Sequence, residues 1–205
     1  LADEELSLWP DRARDVMAIE ITLADDLTTQ SVVITEGRMH SLAKLTYGDV
    51  PKILRDPSHR FYRVLQDGAD LSQKLLEFRR SEGALAMSDL AHGWFTSEDG
   101  AIQEFGSYEE AVGHLLVQEL MILANRSVAE YAMIRDIPIL YRNHSSRKTE
   151  AARVQLLQEL DEATHHSLDA ILGVKRDRHP LLDRSEYGVV PTGHFGLNLP
   201  VYCHF

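Results

Sequence analysis

The sequence predicts an α+β fold, a mixed or antiparallel sheet packed with long helices. Three observations carry that prediction. Apolar residues alternate with polar ones from Met17 to Leu23, the period of a half-buried strand. Apolar residues recur at helical spacing over 58–81 and again from Ser107 to about Arg135. The predicted strands and helices mix without the regular strand–helix–strand rhythm of a parallel sheet.

The elements follow in order. Met17, Ile19, Ile21 and Leu23 line one side of the first strand, and Asp25-Asp26 supplies a turn. Ser31 to Thr46 returns as a longer extended segment, with Gly37 as a candidate bulge, so the pair reads as a hairpin. Phe61, Val64, Leu65, Leu71, Leu75 and Phe78 place a helix over 58–81, which Gly83 is placed to end. Residues 84–105 read as a second hairpin with Asp99-Gly100 at its turn. Ile137 to Tyr141 reads as a short buried strand, and Ala151 to Leu172 as a helix ended by Gly173.

The helix from Ser107 carries more information. Ser107 and Glu110 have the spacing of a capping box. At 100° per residue Val112, Leu115, Leu116, Leu120, Ile122 and Leu123 cover one side, while Val117, Met121, Ala124 and Val128 cover much of the other. A helix apolar nearly all round is normally central and buried. Glu119 projects from that apolar surface, with Arg126 and Glu130 seven and eleven residues on along the same stripe. Two readings stay open on spacing alone. Glu119 is either part of an ion pair or a solvent stripe on its own helix, or a carboxylate held at the wall of a site, since a buried charge needs a partner or a task.

Composition sets the bounds. A chain of 205 residues with 44% hydrophobic and 26% charged residues can bury one core, and 1–205 reads as a single domain. The lone cysteine, Cys203, allows no internal disulfide, and beside aromatic residues it reads as buried packing rather than a nucleophile. No apolar run approaches the roughly 20 residues that cross a bilayer, and the acidic first residues lack a signal peptide's pattern. A soluble, cytoplasmic protein without membrane partners is the expectation. The net charge of −11 argues against a broad nucleic-acid surface but leaves room for a narrow basic channel. Arg142, Arg147, Lys148 and Arg153, then Lys175, Arg176 and Arg178, are the local basic clusters. No histidine pair has zinc-ligand spacing on a helix, and no glycine-rich loop precedes a helix as a phosphate cradle requires.

Three blocks, in order, carry a family resemblance. Ser41 to Val50 reads SLAKLTYGDV; Val117 to Asn125 reads VQELMILAN and is followed by Val128-Ala129-Glu130 and by PILYRNH over Pro138 to His144; Gly193 to Phe205 reads GHFGLNLPVYCHF. Leu6-Ser7-Leu8 fits the start of the lead-in to the first block. Together they resemble the RNB catalytic domain of the ribonuclease II / ribonuclease R family, over essentially the whole chain. That resemblance implies hydrolysis of single-stranded RNA from the 3′ end to nucleoside monophosphates, with Mg²⁺ or Mn²⁺ at the scissile phosphate of the intact protein. It also implies small barrel RNA-binding domains flanking the catalytic one, none of which lies in these residues. By position, Tyr47 matches the family's active-site tyrosine, and Glu119 matches its helix glutamate beside the terminal nucleotide, which favours the site-wall reading. Asn125, His194 and Tyr202 fall in the matching blocks as substrate-binding candidates. Met87 stands near where the family tends to place a base-stacking aromatic; Trp94 or Phe95 could supply that ring instead.

The departures matter as much. Nothing before Leu6 matches the family's Asp-x-Asp-Asp metal cluster, and Asp25-Asp26 sits in a hairpin turn. The arginine pair that follows His-Phe in the family is absent after Phe205. The expectation is therefore the central part of an RNB-type exoribonuclease, with no metal held by this chain alone. The competing expectation is a non-catalytic relative that binds RNA or a protein partner; a fragment that preserves only the fold is the third.

Overall fold

The computed structural model describes residues 7–10, 12–84, 94–96, 102–104, 108–145 and 184–204, with five helical positions, Val154, Gln155, Gln158, Glu159 and Glu162, between the last two. Strands β1 (Ala13–Leu23) and β2 (Thr29–His40) form the predicted antiparallel hairpin. Its turn is made where Asp25-Asp26 placed it. The Asp26 Oδ1 accepts the Thr28 N–H at 3.0 Å and the Thr28 hydroxyl at 2.6 Å, and Leu27 takes a left-handed φ of 65°. Gly37 is not a bulge: it pairs in register with Val16, and the ladder shifts instead at Thr22/Leu23, beside the turn. Ile21, Leu23, Val32 and Ile34 are half-buried near that turn, while Met17 lies open at the far end.

A short helix that the sequence pattern did not reveal, α1 (Asp49–Leu54), follows. Asp49 starts it by accepting both the backbone N–H and the hydroxyl of Thr46, at 2.9 and 2.6 Å. Helix α2 (Tyr62–Ser81) ends as expected at Gly83, whose φ is 86°. The Gly83 N–H donates to the Arg80 carbonyl and the Ala84 N–H to the Arg79 carbonyl, the paired bonds of a Schellman stop. Strands β3 (Trp94–Thr96) and β4 (Ile102–Glu104) are antiparallel, so the second hairpin exists; its Asp99-Gly100 turn lies outside the described residues.

Helix α3 (Tyr108–Ile134) is the spine. Its first half packs Val112 with Val50 of α1 and Ala69 of α2. Its second half packs Ala129 with Tyr141, Val201 and Cys203. It is not buried all round: Val117 and Met121 stay 37% and 42% exposed, on the side away from Leu115 and Glu119. Strands β5 (Tyr141–Asn143) and β6 (Glu186–Gly188) pair antiparallel, and Tyr141 also bridges to Cys203. The expected strand over 137–141 is corrected here. Residues 137–140 have no regular structure, Ile137 and Leu140 are exposed, and of the segment Tyr141 is buried in the core with Ile139 half-buried against it. A 3-10 turn, Phe195–Leu197, closes the C-terminal segment. Long helices with small antiparallel sheets make this the α+β fold the sequence predicts. Among the described residues no helix is long and apolar enough to cross a membrane.

One glycine inside α3 has a packing task. A Cβ at Gly113 would lie 2.8 Å from the Tyr47 carbonyl oxygen and 3.3 Å from Val50 Cγ2. The glycine thus admits the 47–50 corner against the helix. Gly113→Ala gains up to about 1 kcal/mol of helix propensity but forces backbone apart, at a cost of about 1–3 kcal/mol. The expected result is a lower urea midpoint with an unchanged slope; a midpoint at or above wild type contradicts the contact.

Candidate active site

Glu119 is where the two long helices meet. Its side chain is 2% exposed, and Arg79 from the last turn of α2 grips it, Nη2 to Oε1 at 2.7 Å and Nε to Oε2 at 3.2 Å. Gln118 Nε2 adds a third bond to Oε1 at 2.9 Å. Oε1 is thereby doubly engaged, while Oε2 keeps acceptor capacity. The partner is not on Glu119's own helix, as the sequence left open: Arg126 pairs instead with Glu130 at 2.8 Å. Sequence reasoning missed Arg79, although a signal existed. Arg79 falls four residues after Leu75 on the buried stripe of α2, as Glu119 falls four after Leu115 on α3. Two lone charges of opposite sign on two apolar stripes invite each other.

The pair lines a cavity of about 280 Å³ between α2, α3 and the 197–200 segment. Phe78, Ile122, Leu197 and Pro200 give it apolar walls. Arg126 and Glu82 also reach it, and Asn198, held in a left-handed conformation, ties its rim to α2 by donating to the Glu82 carbonyl. An apolar slot with a few convergent polar groups is the usual shape of a small-ligand site.

Tyr47, just before α1, packs elsewhere along α3. It is 48% exposed and stacks on His114, with ring centroids 3.8 Å apart at 19°. Burial lowers the His114 pKa below its ordinary value. Residues 113 and 119 are separated by about 9 Å of helix rise, so Tyr47 stands beside the Glu119 pair rather than in contact with it.

Asn125, His194 and Tyr202 do come together. Asn125 Nδ2 donates to the Tyr202 hydroxyl at 3.2 Å, and the His194 and Tyr202 rings meet edge-on at 5.2 Å. His194 Nδ1 accepts the Leu197 N–H at 3.2 Å and so caps the 3-10 turn. Burial, then the like charges of His144 and Arg142, push its pKa down to about 4. The Tyr202 hydroxyl is raised by burial. Cys203 is fully buried, donates to the Asn125 carbonyl, and is pushed up by burial to about 11, so it packs as expected. Met87 lies outside the described residues, as do Ser107, Gly173 and the basic residues 147, 148, 153, 175, 176 and 178; of Trp94 and Phe95 only the backbone is described.

Among the described residues no group of three or more His, Cys, Asp or Glu is placed to hold a metal ion. Glu119 is committed to a guanidinium, and Asp26 to its own turn. These residues do not fit a divalent cation.

The RNB domain family model matches residues 1–205. Ribonuclease R of Thermotoga maritima is 25% identical over 97% of this chain and 32% of its own length, so the chain spans about a third of that relative. The structure of Mycoplasma genitalium RNase R in complex with ribose-methylated single-stranded RNA superposes with a TM-score of 0.70 at 20% identity, over 100% of this chain and 36% of that one. Yeast Ssd1, described as a pseudonuclease, superposes with a TM-score of 0.62 at 18% identity, over 99% of this chain and 28% of that one. The helix spine with its buried glutamate, the small antiparallel sheets and the match from first residue to last agree, and the chain belongs to the RNB domain family.

Proposed function

We propose that this chain is part of a hydrolytic 3′-to-5′ exoribonuclease that degrades single-stranded RNA to nucleoside monophosphates. The observation that carries the reading is a buried, fork-bound carboxylate, Glu119, at the wall of an apolar cavity of about 280 Å³. A terminal nucleotide fits the chemistry of that wall: its ring against the apolar side chains, a sugar hydroxyl donating to Glu119 Oε2. Tyr47 positions the scissile phosphate or its sugar from the neighbouring turn of α3. Asn125, His194 and Tyr202 line the approach, and Met87 contributes an apolar contact to the base. Mg²⁺ or Mn²⁺ belongs to carboxylates other than Glu119 and Asp26. The small flanking barrels and a cytoplasmic location are part of the same proposal.

A second reading is favoured by one feature: both Glu119 oxygens are already engaged by protein donors. In it the chain binds RNA or a protein partner and performs no chemistry. Turnover separates the two. The full-length protein, given a single-stranded oligoribonucleotide and Mg²⁺ or Mn²⁺, is expected to shorten it, and Tyr47→Phe to lower the rate about 10²-fold or more if the hydroxyl acts in the transition state. A Tyr47→Phe protein with wild-type turnover removes Tyr47 from the mechanism. Oligonucleotide bound but never shortened supports the binding module.

A further inference from the structure

We propose that Arg126 reads the base of the nucleotide held in the Glu119 cavity and selects guanine. The assignment deepens the exoribonuclease reading and rests on it for one point, the sugar at Glu119. Arg126 follows Glu119 by seven residues on α3, two turns along the same stripe, and both line the cavity. The helix rise between them is about 10 Å, comparable with the span of a nucleoside from its sugar hydroxyls to the far edge of its base. With a sugar hydroxyl on Glu119 Oε2, the base lies between Phe78, Ile122, Leu197 and Pro200 with its far edge toward Arg126.

The hydrogen bonding of Arg126 fixes what it offers that edge. Its Nε donates to Glu130 Oε1 at 2.8 Å, one turn further on, and this is the only hydrogen bond it makes among the described residues. That bond uses one donor and leaves the two terminal nitrogens, a planar fork of N–H groups. The side chain is 33% exposed, so a ligand can reach it. Such a fork takes either a phosphate or a base edge with two adjacent acceptors. Charge decides between them. Among the described residues lining the cavity, Arg79 and Arg126 are balanced by Glu82 and Glu119, and Glu130 sets a further carboxylate on Arg126. An anion entering there meets no positive excess, on a chain of net charge −11. A neutral base carries no such penalty. Guanine presents the acceptor pair, O6 and N7, on an edge away from the sugar. Adenine replaces O6 with an amino donor that opposes the fork, and uracil has a single acceptor there, O4. Cytosine pairs N3 with O2, but O2 lies beside the sugar, at the Glu119 end.

The test compares oligoribonucleotides of one length that differ only in a 3′-terminal guanosine or adenosine, two purines that stack alike on apolar walls. With the full-length protein, two quantities are read: the rate of the first removal below saturation with Mg²⁺, and the dissociation constant in EDTA. Guanosine ends are expected to be favoured about tenfold in both, the worth of one bidentate base contact. Arg126→Met and Arg126→Lys are each expected to erase that ratio, since lysine keeps the charge but not the fork. The Arg126–Glu130 pair is partly exposed on one helix, so neither variant threatens the fold. Arg126→Met is expected to keep the wild-type salt slope of binding, because no phosphate contact is lost. A wild type that treats both ends equally, or an Arg126→Met protein that keeps the ratio, overturns the inference. So does an Arg126→Met protein that weakens both ends alike and lowers the salt slope by about 1, the signature of a phosphate contact. Guanosine-selective, Arg126-dependent affinity without any RNA shortening leaves the inference standing and removes the exoribonuclease reading. Equal shortening of both ends removes only the inference.

Discussion

Replacing Arg79 with leucine is expected to lower the unfolding free energy by about 3–5 kcal/mol, the cost of leaving a buried carboxylate without its partner. Glu119 is 2% exposed, and Gln118 supplies only one neutral donor. The reciprocal change, Glu119→Leu, strands the guanidinium less severely, because Arg79 is 10% exposed and longer. The double variant Arg79→Leu/Glu119→Leu removes both charges and fills the same volume with apolar atoms, a replacement that is often neutral. A double-mutant cycle in urea is therefore expected to give strongly non-additive losses, with the double variant more stable than Arg79→Leu. Additive losses contradict the pair as the joint between α2 and α3. The cycle also bears on function, since leucine at 119 ends any hydrogen bond to a ligand in the cavity while keeping the fold.

Acid is expected to remove about 3 kcal/mol between pH 6.5 and about 4 through His194 alone. Burial is the main cause of its lowered pKa, with like charge from His144, Arg142 and His204 added to it. In the folded state the ring stays neutral down to about pH 4, whereas in the unfolded chain it binds a proton near 6.5. The unfolded state therefore holds more protons across that window, so stability is full above it and falls as pH falls through it. His114, also lowered by burial, adds in the same direction. Asp26, Asp49 and Asp56 are held below 3.8 by hydrogen bonds from Thr28, Thr46 and Ser58, so their losses are centred at lower pH and begin only in the acid end of that window. His194→Asn retains an acceptor for the Leu197 N–H and is expected to flatten the curve between pH 6.5 and 4. An unchanged pH dependence in that variant contradicts the buried, neutral His194.

How much of this could be read in advance follows from the range of each interaction. The β1–β2 hairpin, the Gly83 stop and the α3 spine rest on local periodicity and turn chemistry, and they stand where Met17–Leu23, Asp25-Asp26 and Gly83 put them. Helix α1 was not legible, because six residues hold too little period and its start depends on one Thr46–Asp49 exchange. The strand expected over 137–141 failed because three apolar residues in a row say nothing about which of them finds a core. Glu119 was legible as an anomaly and Arg79 as a second charge on an apolar stripe, but no local pattern joins the two across 40 residues. The meeting of Asn125 with Tyr202 spans 77 residues and was not legible; the block resemblance marked each only as a candidate by itself.

The central claim is that Glu119 and its cavity serve the stepwise removal of nucleotides from an RNA 3′ end. Product analysis on a 5′-labelled single-stranded oligoribonucleotide, with the full-length protein and its Glu119→Gln variant side by side, tests it most directly. The account predicts a ladder shortening one nucleotide at a time with nucleoside monophosphates released, abolished by EDTA, and slowed at least tenfold in Glu119→Gln while the protein stays folded. Oligonucleotide bound with sub-micromolar affinity and left intact, or a ladder unchanged by Glu119→Gln, contradicts it.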